Sequence, residues 1–250
     1  MIVNPQVLDL AFKGFKTVVS DAMLEAQVYA DQIAMTVPSA SRDETYDRLG
    51  IFKPMFAEMG QAARRHPEEL VFGLLASGFS TACYDGQFFF DTDHPVTDAD
   101  GAVTQVSNFG GGAGTAWYLL HTSRAVRPII WQEREKYEFQ QLTQENSEYV
   151  FLNDRYLYGI RARVNAGFGL WQMAYGSRQT LNAANFAAAR AAMMSFSADG
   201  GRKIGISPKI LLVPPSLEEA ALNIVNTEVG AAGASNPWKG TAKLIVTPYL

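Results

Sequence analysis

Residues 51–78 read IFKPMFAEMGQAARRHPEELVFGLLASG. Pro54 suits the first turn of a helix, where its missing N–H costs nothing. Met55, Phe56, Met59, Ala62 and Ala63 then recur at helical spacing and make one apolar face. Pro67 removes a donor and crowds the preceding turn, so the stretch predicts one kinked helix or two collinear ones. Glu68 and Glu69 stand where the dipole of a restarted helix favours anions. Leu70, Val71, Leu74 and Leu75 carry the stripe onward, and Gly78 is placed to cap its end.

Upstream, Leu8, Phe12, Phe15, Val19 and Met23 mark a second helix over 5–32, with Asn4 as N-cap and Pro5 as its first residue. Its stripe is narrow for its length. That suits packing against another chain, or a long surface helix of its own domain. PSASRDETY (38–46) is polar and predicts a loop. Downstream, TDADGAVTQVSNFGGGAGTA (97–116) is small, polar and Gly-rich, and predicts a flexible loop. From 117 to 175 the texture changes. WYLLHT, RPIIWQER, EYVFLNDRYLYGIRARV and FGLWQMAYG are rich in aromatic and β-branched residues and predict antiparallel strands, since no helix-length crossover separates them.

An Ala-rich helix comes next over 182–196, capped by Thr180 or Asn182 and stopped by Gly200-Gly201. ILLVP (210–214) predicts a short buried strand. Ser216 and Glu219 form a capping box for the next helix, and AKLIVTPYL closes the chain with a strand. The fold class is α+β.

The bulk numbers exclude several functions. With 250 residues, 48% hydrophobic and 18% charged, the chain has ordinary globular composition. A net charge of −4, with basic residues scattered among acids, offers no clustered face for nucleic-acid phosphates. A single cysteine excludes an intrachain disulfide framework. Asp9, Lys13 and Lys16 interrupt any signal-peptide core, and no run approaches the ~20 apolar residues that span a bilayer. The expectation is a soluble protein with no membrane partner.

FFFDTDHPV (88–96) is the stretch that most resembles chemistry, because Asp91, Asp93 and His94 fall within four positions. The calcium-loop pattern fails: Asp98, Asp100 and Gly101 misplace the glycine, and no Glu closes the loop. Three His and one Cys in the whole chain leave little for a transition-metal site. Cys83 with His94 has the residue types of a nucleophile and base, but no third orienting residue is indicated. GGGAG (110–114) lacks the Lys and Ser/Thr of a P-loop and reads as a hinge or a disordered loop. His66, before Pro67, and His121, in a strand-like run, are structural. No residue is assigned as catalytic, cofactor-binding or metal-ligating, and no cofactor is expected. FFFDTDHPV is then a loop leaving the long helix.

The words FKPMFAEMG, HPEELVFGLL, CYDGQFFFDTDHPV, WYLLHTSRAVRPIIWQER, VNAGFGLWQMAYGS, SFSADGGRKIGI and LLVPPSLEEAA stand in an order that closely resembles the Mu-like phage major head subunit family. The resemblance runs from MIVNP to TPYL. It implies an HK97-type capsid fold: an N-terminal arm (1–46), a peripheral domain (47–175) with a spine helix, an antiparallel sheet and the Gly-rich loop 97–116, and a mostly axial domain (176–250). It implies a major capsid protein of the virion that self-assembles into pentamers and hexamers of an icosahedral shell. That shell is assembled in the host cytoplasm and encloses double-stranded DNA without reading its sequence. Scaffold, portal and decoration proteins are the implied partners. Family members carry a long insertion between the ETY-like and FKPMF-like words, so either a break in the chain is expected between Tyr46 and Asp47, or at the latest before Ile51, or the protein is a shortened variant. Two alternatives remain: a non-viral compartment shell of the same fold, and a small metal-dependent hydrolase using Asp91, Asp93 and His94.

Overall fold

The computed structural model describes residues 52–153, 155–229 and 235–250, together with two short strands, β1 (Gln32–Ile33) and β2 (Ser39–Ala40). The expected arm, the N-terminal helix up to Asp31 and the Tyr46–Asp47 join lie outside the described residues. Gln32, the last residue expected in that helix, is in β1, and Ser39–Ala40, expected in a loop, is a strand.

α1 (Phe52–Ser77) is one helix that runs through Pro67. Its inner positions include Phe56, Met59 and His66, spaced so that they share one face. Met55 was expected on that face but is exposed, and buried His66 takes a place on the stripe. Gly78 ends the helix by closeness rather than by a left-handed cap. Its N–H donates to the Leu75 carbonyl at 3.1 Å. A Cβ on it would stand 2.9 Å from Phe90 Cδ2.

The chain divides into two compact units. One takes the described residues of 71–130 and 167–250. Its centre is a four-stranded sheet of β5 (Trp117–Leu120), β8 (Ala174–Ser177), β9 (Ile210–Val213) and β10 (Lys243–Val246), in the order β10-β9-β5-β8. β5 runs antiparallel to β8 and to β9, while β9 and β10 are parallel. All four residues of β5 are buried, which is why WYLL carries no polar alternation. α3 (Ala183–Ser195) and α4 (Glu218–Val225) belong to the same unit, whose core gathers Trp117, Trp171, Phe186 and Leu211. A hairpin of β3 (His94–Thr97) and β4 (Val103–Val106) completes it.

The second unit takes residues 52–70 and 131–166 among those described, with β1 and β2. Its strands are β6 (Ile129–Leu142) and β7 (Arg155–Phe168), 14 residues each, joined across α2 (Glu148–Asn153). β7 pairs with β6 and with β1 and β2. Phe56 meets Tyr158 edge-on at 4.8 Å. His66 Nδ1 lies 2.7 Å from the Tyr137 hydroxyl, so this buried imidazole has a polar partner in the helix–strand contact.

The mixed α+β class is as expected, but several local expectations are corrected. The strands of WYLLHT and FGLWQMAYG do not share a sheet with β6 and β7: β5 pairs with β8 on one side and, on the other, with 210–212, about ninety residues downstream. EYVFLN is helix, because Ser147 accepts the Phe151 N–H on its carbonyl and the Val150 N–H on its hydroxyl. Ser216 does not cap α4; Pro214-Pro215 start a 3₁₀ turn first, and Leu217 occupies the cap position. Asn182 does cap α3, its Oδ1 accepting the Asn185 N–H at 2.8 Å. The Gly-rich stretch 97–116 is ordered. It contains β4 and the turn that joins it to β3, and then Gly110, Gly111 and Gly114 exchange backbone hydrogen bonds with Gly176 and Arg178. No helix among the described residues is long and apolar enough to cross a membrane.

Candidate functional site

The loop after α1 closes on itself before reaching β3. Cys83 N–H donates to the Gln87 carbonyl at 2.8 Å and Gly86 N–H to the Cys83 carbonyl at 3.1 Å. Gly86 takes φ +86° at the tip of this turn, where an L side chain would be strained. Of the three aromatics next in the chain, Phe88 is exposed while Phe89 and Phe90 are buried. Phe89 stacks on Phe168 at 4.2 Å. These anchors fix how the chain enters β3, and so where His94 points.

His94 is wholly buried. Its Nδ1 lies 2.7 Å from Asp85 Oδ2 and its Nε2 lies 3.1 Å from Asn108 Oδ1. The Asn108 amide nitrogen donates to the Phe89 carbonyl at 2.8 Å, which turns its oxygen toward the ring. Both ring nitrogens therefore face oxygen atoms, Asp85 on one side and Asn108 on the other. The ring lies flat on Trp171, with centroids 4.1 Å apart and planes 11° apart. Cys83 adds the third group, its thiol donating to Asp85 Oδ1 at 3.1 Å.

The electrostatics are set by this packing. Burial alone would raise the Asp85 carboxyl, but the hydrogen bonds from His94 and Cys83 and the His94 charge outweigh it and hold the carboxyl below its ordinary value. Burial, then the hydrogen bond and charge of Asp85, push the Cys83 thiol far up. It stays protonated at neutral pH and is no nucleophile.

Asp91 and Asp93 stand beside each other, but His94 hydrogen-bonds elsewhere. The Asp91 carboxylate accepts the backbone N–H groups of Phe88 and Thr92. Partial desolvation and then neighbouring Asp91 raise the Asp93 carboxyl. The His94 ring hydrogen-bonds to neither, and acts on Asp93 only through its charge. The residues that are its partners, Asp85 and Asn108, escaped sequence reasoning. The only local signal was CYDG, whose Asp-Gly predicts a turn that could return a carboxylate toward the next strand. In GGGAG the N–H groups of Gly110 and Gly114 are spent on the carbonyls of Gly176 and Arg178. His121 Nδ1 donates to the Ser207 carbonyl, in keeping with a structural role.

Comparison with known proteins settles the family. The profile of the Mu-like prophage major head subunit gpT matches residues 46–250. The chain belongs to that family. It is 42% identical over 215 residues to the "Mu-like prophage FluMu major head subunit" of Haemophilus influenzae, covering 82% of this chain and 70% of that one. It is likewise 42% identical over 224 residues to the major capsid protein of Escherichia phage Mu, covering 86% and 73%. The subunit of the bacteriophage JBD30 procapsid superposes with a TM-score of 0.76 at 45% identity, over 88% of this chain and 76% of that one. The JBD30 capsid gives 0.74 at 28% identity, over 89% and 75%. The protein is thus a major head subunit of the Mu-like type with an HK97-like fold, a structural capsid protein, as the ordered words implied.

For this head subunit the buried cluster sets an acid limit. Asp85 is held down in the folded state, so its contribution is fully present above the unfolded carboxylate value, about 3.9. That contribution is lost as pH falls through the lower folded value. Thermal melting of the unassembled subunit is expected to drop faster below about pH 4 in the native protein than in Asp85→Asn. Parallel pH profiles would show that Asp85 contributes nothing.

Proposed function

We propose that this chain builds a closed icosahedral shell from pentamers and hexamers of itself, around packaged double-stranded DNA and with no catalytic step. Membership of a major head subunit family carries the reading. The surface of the second unit supports it. Around α2, Phe151 and Leu152 are 81% and 70% exposed, with Tyr149 and Leu142 partly so. A lone subunit has no reason to keep such side chains in water, whereas an assembling one buries them between copies. A net charge of −4 suits a wall that must not stick to the DNA it contains.

We assign the unit of 71–130 and 167–250 to the axial part and the unit with the long helix start, β6 and β7 to the peripheral part. This moves strands 117–120 and 174–177 out of the peripheral sheet expected from the sequence. One JBD30 capsid is described as decorated with minor capsid protein trimers. We extend a decorating partner to this subunit by analogy, along with a scaffold, a portal and assembly in the host cytoplasm.

Negative-stain microscopy of the subunit coexpressed with its scaffold tests the reading, and closed particles are expected. Phe151→Asp with Leu152→Asp is expected to reduce closed particles at least tenfold while leaving the urea midpoint of the free subunit unchanged. Particle yields equal to the native protein would remove α2 from the assembly surface. Failure of the native protein to close under any scaffold condition would count against the shell.

A further inference from the structure

We propose that Cys83 Sγ, Asp85 Oδ and His94 Nδ1 form a binding site for a borderline-soft divalent transition metal, with zinc as the leading case. Building a shell does not require these groups to converge, so the site is independent of the capsid role. The three atoms lie within 4.8 Å of one another, in the interior of one compact unit. A thiol, an imidazole and a carboxylate are the ligand types that zinc takes. Calcium and magnesium prefer all-oxygen sets and fit poorly.

The surroundings match what a metal ligand needs. Asn108 Oδ1 holds a proton on His94 Nε2, 3.1 Å away, which leaves Nδ1 as the coordinating nitrogen. Trp171 fixes the ring plane from one side. Cys83 and Asp85 come from one tight turn, so two ligands are delivered together.

With a divalent ion, a thiolate, a carboxylate and a neutral imidazole sum to zero. Binding therefore expels the Sγ proton and any proton held on Nδ1, with no change of oxidation state. The present separations of 2.7 Å and 3.1 Å are hydrogen-bond lengths. Zinc bonds of about 2.0–2.3 Å in tetrahedral array need ligands roughly 3.3–3.6 Å apart, so the turn opens by about half an ångström as the protons leave. The fourth position falls to the second Asp85 oxygen or to water. His94 is then a ligand, contrary to the expectation from the sequence, while Asp91 and Asp93 stay outside because their carboxylates face other groups.

The test uses untagged subunit, unfolded in urea, refolded with Co²⁺ or Zn²⁺, and freed of excess ion. Cys83 is the chain's one cysteine, so any thiolate-to-cobalt charge-transfer band must arise there. Expected are that band, about one zinc per subunit by elemental analysis, and proton release on binding in weak buffer. Cys83→Ser, a near-isosteric change, is expected to fold, lose the band and lower zinc affinity at least tenfold. Zinc below a tenth of an equivalent in the native protein overturns the proposal. So does stoichiometric zinc without a cobalt band, or zinc affinity unchanged in Cys83→Ser, since the metal would then sit elsewhere.

Discussion

Trp171→Ala is expected to cost the free subunit about 4 kcal/mol, since truncating a fully packed aromatic typically costs about 3–5 kcal/mol. Trp171 is 1% exposed. One face covers His94 at 4.1 Å, and Phe196 meets its ring edge-on at 5.5 Å. Removing the indole opens a cavity against two groups that cannot both collapse into it. His94 is held by Asp85 and Asn108, and Phe196 stands directly after the end of α3. A domain is typically stable by about 5–15 kcal/mol, so the loss takes a large share of what holds the unit together. Urea unfolding of the unassembled subunit, read by the linear extrapolation, measures it. Trp238→Ala is the control: Trp238 is only half-buried and touches Phe186 at 5.7 Å, and about 1–2 kcal/mol is expected from partial burial. Equal losses at the two sites would mean that the full packing of Trp171 against His94 and Phe196 adds nothing over partial burial.

What the sequence disclosed divides along the range of the interactions. α1 was legible because its stripe is local: the residues that share a face are three and four apart. α3 was legible down to its cap, since Asn182 acts on an N–H only three residues away. Strand pairing was not legible. Tyr118 pairs with Leu212 and with Gly176, and no local pattern in WYLL names either. Texture alone joined it to the neighbouring aromatic runs, and tertiary pairing overrode that grouping. EYVFLN failed for a related reason: its residue types favour strand, but the Ser147 cap is a local signal that outweighs them over one short turn.

The site was half legible. His94 was visible as a candidate, but proximity in sequence selected the wrong partners. A turn and then a strand send successive side chains to different sides, so Asp91 and Asp93 serve the backbone and solvent while His94 goes inward. Its real partners stand nine residues before it and fourteen after it. The ordered words of the family needed no such geometry, which is why the family was readable when the cluster was not.

Gly112→Ala is expected to destabilise the free subunit by about 3–4 kcal/mol, although GGGAG reads as a hinge that should tolerate any small residue. Two effects add. Gly112 takes φ +91°, and a non-glycine residue there costs roughly 1–2 kcal/mol. In addition, a Cβ would stand 2.4 Å from the carbonyl carbon and oxygen of Arg178. Those atoms cannot yield cheaply, because the same carbonyl accepts the Gly114 N–H at 2.8 Å and the Arg178 N–H donates to the Gly111 carbonyl. Forcing such a contact costs about 1–3 kcal/mol. Gly111 separates the two effects. It has φ +72° but its nearest outside atom would lie 4.0 Å from a Cβ, at the flexible end of Gln179. Gly111→Ala should therefore show only the backbone cost, about 1–2 kcal/mol. The difference between the two alanine variants, read from urea unfolding, is the cost of pushing the glycine strip off the edge of β8. Equal losses would mean that the strip yields freely, and the reading of 110–114 as a packed edge would fall.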